Sequence, residues 1–250
     1  MTRVKAKQST QAHMTDPYGE AIKAYYEGDT AATLTVESDL AETDEWPVSE
    51  FFHNWDTMGQ LEKRAMSLAS GRVLDVGAGS GSHSLWLQRH GVDVEAVEIS
   101  PSAANVIRDR GVKKVTTADF YTFETAKRYD TLLMLMNGAG LAGTIRGLDR
   151  LLAKAKTLLA PGGQILLDSS DLIYLYEEED GSYALPIGGR YYGELEYVYK
   201  FRGARSETFP WVFVDQASLA DAAERNGLSF TLVAEGEHYD YLARLATDEM

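Results

Sequence analysis

Val73-Leu74-Asp75-Val76-Gly77-Ala78-Gly79-Ser80-Gly81 joins an apolar strand to a glycine turn, and the organisation of the 250-residue chain follows from it. Val73, Leu74 and Val76 suit a parallel strand covered on both faces. Gly77, Gly79 and Gly81 then recur at every second position, where positive φ and close backbone approach to a ligand carry no Cβ penalty. His83 to His90 reads as a helix with Gly91 as its stop. Strand, turn and helix start form the front of a βαβ unit.

The dinucleotide fingerprint needs a third glycine one position later, where Ser82 stands. Asp75 also lies within the strand, where a carboxylate gains nothing beside a pyrophosphate but suits a cationic amino-acid group. Asp-x-Gly-x-Gly-x-Gly resembles the first motif of class I S-adenosylmethionine-dependent methyltransferases. Further segments resemble that family in order. Val92 to Ile99 is the second strand, with Glu98 near its end, and Ser100-Pro101 opens a helix. Val112 to Thr117 is the third strand, followed by Ala118-Asp119-Phe120. Tyr129 to Met136 is the fourth, bounded by Asn137-Gly138-Ala139-Gly140. Leu158 to Gly163 resembles the turn into the fifth, Gln164 to Asp168.

The resemblance covers roughly residues 60–170 and, more loosely, the C-terminal helix and hairpin. It implies an α/β fold with a doubly wound, mostly parallel sheet of seven strands in the order 3-2-1-4-5-7-6, the last antiparallel. It also implies S-adenosyl-L-methionine as cofactor and S-adenosyl-L-homocysteine as product. Asp75 would lie near the methionine part, with Gly77, Ala78, Gly79 and Gly81 giving close backbone approach. Glu98 would hold the ribose and Ile99 would pack the adenine. Asp119 and Phe120 would address the adenine edge and face, and Asn137 and Gly138 would border the methyl group. Each residue has a structural rival: Asp75 as a turn cap, Glu98 as a solvated strand end, Phe120 as core, Asn137 as a turn former.

No residue type in the sequence singles out a catalytic base. Asn137, His83 and His238 are candidates, and His53 is a further histidine of the same kind. The histidines lack metal-ligand spacing such as H-E-x-x-H, so no metal is expected.

The chain carries a formal charge of −14 and no cysteine. The charge disfavours nucleic-acid partners, whose phosphates it repels. The missing thiols exclude disulfides and suit a reducing, cytoplasmic setting. No apolar run approaches the ~20 residues of a membrane helix. Residues 1–14, polar and mildly basic, are expected to be a disordered tail without a secretory signal.

Residues 15–70 are expected as an N-terminal helical cap, 71–168 as the cofactor-binding core, and 169–215 as an inserted antiparallel β lid rich in tyrosine. Residues 216–250 would complete the core with a helix and hairpin. Within the cap, Thr33 to Val36 could be a short strand and Asp39 to Pro47 an acidic connection. A long insertion beside the crevice is usually functional. The function expected is methyl transfer to an O, N or C nucleophile of a small molecule. A nicotinamide-dependent oxidoreductase on a related fold, or a non-catalytic cofactor-binding homologue, are the alternatives. Oligomeric state is not legible.

Overall fold

In the computed structural model, which describes residues 15–185 and 189–247, helix α1 spans Pro17–Tyr26. Asp16 caps it by accepting the Gly19 N–H at 2.8 Å, and Pro17 occupies the first turn, where its missing N–H costs nothing. The segment 1–14, read as a tail, lies outside the described residues. Strands β1 (Thr33–Ser38) and β2 (Asp44–Pro47) follow and pair antiparallel, and helix α2 (Gln60–Leu68) comes next. The expected helical cap is therefore mixed. Asp44 to Pro47 is an edge strand, not a connection: its charged residues face solvent on the outer rim, where an edge tolerates them.

The core then alternates strand and helix. Its elements are β3 (Arg72–Val76), α3 (Ser82–Arg89), β4 (Asp93–Glu98), α4 (Pro101–Asp109), β5 (Val115–Thr117), β6 (Tyr129–Met134), α5 (Gly147–Leu158) and β7 (Leu159–Ser170). The insertion supplies β8 (Glu194–Phe201), β9 (Ala204–Arg205) and β10 (Phe209–Val212). Helix α6 (Gln216–Arg225), β11 (Ser229–Glu235) and β12 (Asp240–Ala246) end the described chain.

The seven-stranded sheet runs β11-β12-β7-β6-β3-β4-β5. Counting β3 as first strand, this is the 3-2-1-4-5-7-6 order read backwards. Strands β3 to β7 pair in parallel, and β12 lies antiparallel to β7. Period-two alternation puts Leu74, Leu132 and Ile165 on the face covered by α5 and α6. It puts Val73, Leu133 and Leu166 on the face covered by α2 and α3. Strand β7 starts earlier than Gln164, since Leu159 already pairs with Tyr129. Ala160–Gly163 bulge out before the ladder resumes at Thr131 opposite Gln164.

A second sheet, β10-β8-β1-β2 with β9 on β8, joins the insertion to the N-terminal segment. Thr35 pairs with Lys200 and Ser38 with Tyr197. Cap and lid are thus one structure, glued by an aromatic cluster in which Tyr18, Tyr197 and Tyr199 stack at 6.0 to 6.2 Å. Among the described residues no helix is long and apolar enough to cross a membrane.

Candidate active site

Parallel strands deliver their C-terminal ends to one edge, so Asp75, Glu98, Asp119, the 136–138 turn and Asp168 gather there although they are far apart in sequence. The glycine turn begins where Gly77 and Ala78 donate N–H bonds back to the Val97 carbonyl, at 2.9 and 3.2 Å. Gly77 has φ +70°, with nothing within 4 Å of where a Cβ would stand. Gly81 closes the turn at φ +82° and starts α3, its missing Cβ leaving room for Ile107.

Asp75 is buried and accepts the Ser84 hydroxyl at 2.7 Å, so it also anchors the first turn of α3. Glu98 is buried as well. One of its oxygens accepts the Gly79 N–H at 2.8 Å and the other the Ser100 N–H at 2.8 Å. Burial pushes its carboxyl up to about 7, outweighing those two N–H donors, with the charge of Asp16 adding to the rise. Each oxygen retains a second lone pair for a hydroxyl donor. The neighbouring Ile99 is 63% exposed, an apolar face left bare beside that carboxylate. Asp119 takes the Tyr121 N–H at 2.8 Å, while Phe120 is buried in the core cluster.

Met136 and Asn137 hold left-handed φ values of 62° and 59° after β6. Asp168, on the next strand, pins this turn by accepting the Met136 and Gly138 N–H groups at 3.1 and 3.0 Å. Burial raises its carboxyl to about 6 against those donors. Asn137 uses its own amide internally, accepting from the Ser169 hydroxyl at 2.9 Å and donating to the Val212 carbonyl at 3.4 Å. It behaves as the turn former. Asp168 escaped the sequence reading because it sits at the end of an apolar run with no motif around it.

His83 is buried, its Nε2 2.7 Å from Glu62 Oε1. Burial acts against its charge, but the Glu62 bond and the charges of Asp75, Glu62 and Asp168 outweigh it and hold the ring above its usual range. His53 reaches the same Glu62 oxygen at 3.0 Å. Burial, with His83 nearby, holds His53 below its usual range despite Glu62. Glu62 gave no sequence signal: it stands in α2, outside any motif. His238 is exposed at the far rim of the crevice and apart from this cluster.

Between cap sheet and strand ends lies a crevice of about 1210 Å³. Glu42, Asp44, Glu62, Asp168, Glu235, Glu237 and Asp240 line it with Met136, Leu172, Tyr174 and Tyr197, and no Lys or Arg is among its described lining residues. Tyr197 thus serves both the hairpin face and the crevice wall. Trp211 is a packing residue, filling the space beside Gly140.

The sequence matches the family described as a methyltransferase domain over residues 52–233. The crystal structure of an S-adenosylmethionine-dependent methyltransferase from Bacteroides fragilis, in complex with S-adenosyl-L-homocysteine, is similar at 41% identity and a TM-score of 0.87. The similarity covers 93% of this chain and 95% of that one. CalS10, an amino pentose methyltransferase from Micromonospora echinaspora, is similar at 19% identity and TM-score 0.51, over 74% of this chain and 86% of that one. The CcbJ methyltransferase from Streptomyces caelestis is similar at 15% identity and TM-score 0.57, over 75% and 89%. These last two share the fold. No curated protein matches the sequence.

Proposed function

The chain belongs to the S-adenosylmethionine-dependent methyltransferases, and we propose that it methylates a small molecule carrying a protonatable amine. The observation that carries this is the crevice, walled by carboxylates with no Lys or Arg among its described lining residues. Such a cavity concentrates ammonium groups and repels phosphate-bearing acceptors. It is bounded by the cap sheet, which suits a compact acceptor. A cytoplasmic setting fits the cysteine-free sequence.

The nucleoside-binding edge fits the cofactor: open space at Gly77, a bare Ile99 and a buried carboxylate with free lone pairs. In this reading Glu98 accepts the ribose hydroxyls and Ile99 covers the adenine. Asp119 takes the adenine amino group, with Phe120 behind it. Asp75 and the Gly77–Gly81 backbone receive the amino-acid end. When bound, the cofactor supplies a methyl group on a sulfonium, an electrophile ready for in-line attack.

The chain's share is to bind, orient and desolvate the acceptor. The amine enters as an ammonium held by crevice carboxylates and must give up one proton to expose its lone pair. Asp168 lines the crevice at the end of β7, and we assign it to accept that proton. With the cofactor bound, the freed lone pair would form the nitrogen–methyl bond as the sulfur–carbon bond broke, that bond's electron pair returning to sulfur. Asn137 and Gly138 shape this corner without taking part, and His83 and His238 have no assigned step.

The test is a panel of small amines, alcohols and carboxylic acids, with protein and RNA beside them, assayed with methyl-labelled cofactor. Label transferred to amines is expected. Transfer confined to alcohols, acids, protein or RNA overturns the assignment.

A further inference from the structure

Three donor groups from separate parts of the cap and core converge on one point beside the crevice, and none of them has been assigned the proton or the methyl group in the transfer. His53 follows the short turn Val48–Phe52, Glu62 stands in the first turn of α2, and His83 in the first turn of α3. Their ligand atoms all lie within 4.8 Å of one another. His83 Nε2 and His53 Nε2 approach the same oxygen, Glu62 Oε1, at 2.7 and 3.0 Å.

The two histidines are not equivalent. His83 hydrogen-bonds Glu62, whereas His53 Nε2 is buried with no hydrogen-bond partner among the described residues, and its side chain is only 8% exposed. A buried ring nitrogen that lies 3.0 Å from Glu62 Oε1 yet makes no hydrogen bond is costly unless something fills its place. In the tautomer that carries its proton on Nδ1, the ring presents the Nε2 lone pair to the cluster.

We propose that His53, Glu62 and His83 form a binding site for a divalent cation of the zinc class. Two imidazoles and one carboxylate are borderline donors that suit zinc, cobalt or nickel and not the all-oxygen preference of magnesium or calcium. A tetrahedral zinc with ligands at about 2.0–2.1 Å separates its donor atoms by about 3.3 Å. The observed pairs at 2.7 and 3.0 Å need open only by a few tenths of an ångström to admit the ion. The charge balance also favours a cation: Asp75 and Asp168 act on His83 beside Glu62, against Arg110 acting on His53. Glu62 borders the acidic crevice and His53 borders an outer cleft of about 480 Å³, so the ion has entry from either side. The fourth coordination position falls to water or to a crevice ligand. The bound ion would fasten the cap segment to α3, the helix that begins at the glycine turn.

The proposal stands apart from the choice of acceptor and is tested with the metal alone. Chelator-treated full-length protein is titrated with zinc chloride by calorimetry, with melting temperature followed in parallel and cobalt substituted for its visible absorption bands. Wild type is expected to take up one equivalent, to melt at a higher temperature when loaded, and to give tetrahedral cobalt bands. His53→Ala should bind at least about 100-fold more weakly and lose those bands. His90→Ala, outside the cluster, should bind as wild type does. If His53→Ala fails to fold, Glu62→Gln keeps the side-chain volume and should show the same loss. Absence of stoichiometric binding in wild type, or unchanged affinity in the cluster variants, overturns the proposal.

Discussion

Glu98 offers a sharp test, because replacing it with Gln should change stability by an amount whose sign depends on pH. Its carboxyl sits at about 7 in the folded protein against an ordinary 4.5. That separation corresponds to about 3 kcal/mol. Because the folded value is the higher one, the ionised side chain opposes folding. Below pH 4.5 both states hold the proton and there is no penalty. Between 4.5 and 7 the unfolded chain releases it while the folded chain keeps it, so stability falls with rising pH, and above 7 the penalty is complete. Gln carries no such penalty, but it has one acceptor oxygen where Glu98 uses two, for Gly79 and Ser100. One N–H then loses its partner, at about 1–3 kcal/mol. Glu98→Gln should therefore be the less stable protein at pH 5 and draw level with or pass wild type by pH 8. The stability difference should swing by about 2 kcal/mol between those limits. Urea denaturation of both apo proteins at pH 5, 6, 7 and 8 measures this directly. A difference constant across that range would refute the placing of a desolvated, proton-holding carboxyl at the end of β4.

Hydroxyl donors favour the ionised carboxylate, so wild-type affinity for S-adenosyl-L-homocysteine should rise several-fold from pH 6 to 8, and the rise should vanish in Glu98→Gln; calorimetry reads both. Gly81→Ala places a Cβ at φ +82°, 2.9 Å from Ile107 Cγ2, and should destabilise the fold by about 1–3 kcal/mol in thermal unfolding. Asp168→Asn leaves one of two turn N–H groups without an acceptor, a loss of about 1–3 kcal/mol, and kcat should fall more than KM for the cofactor changes. Ser100→Ala removes the α4 cap but keeps the backbone N–H that Glu98 accepts. It should lower stability by about 1 kcal/mol with little change in homocysteine-product affinity.

What could be read along the chain is what depends on neighbours along the chain. The glycine turn, the Ser100-Pro101 helix start and the apolar strands each carry their own local signal, and the structure contains all of them. Helix α5 was equally readable: Leu148, Leu151, Leu152, Ala155 and Leu158 are buried at helical spacing, though no sequence motif above claims that segment. Asp44–Pro47 was not readable as a strand, because its pairing partner β1 decides its conformation and its own residues are polar. Strand β5 is shorter than Val112 to Thr117. Lys113 and Lys114 stay exposed beyond the ladder, and only Val115–Thr117 find partners on β4. Glu62, His53 and His83 meet through the cap's packing against the core, so no spacing rule along the chain could have joined them.

The same long-range pairing explains why cap and cofactor edge should respond together. Strand β8 docks on β1 from the far side of the insertion, and Lys200 pairs with Glu37 across that seam. Below the sheet, α1 meets α4 through Asp16, which accepts the Ser100 hydroxyl at 2.5 Å, and through Glu20, which accepts the Ser102 hydroxyl at 2.6 Å. Ser100 in turn donates its N–H to Glu98, so a single residue ties the position of α1, the start of α4 and the buried Glu98 carboxylate. Tyr18, on α1, is half-buried near that carboxylate, and desolvation of its hydroxyl together with the charge of Glu98 raises its phenol. Moving the cap aside would expose Glu98 to water, lower its carboxyl toward the ordinary range and relieve the penalty that burial imposes.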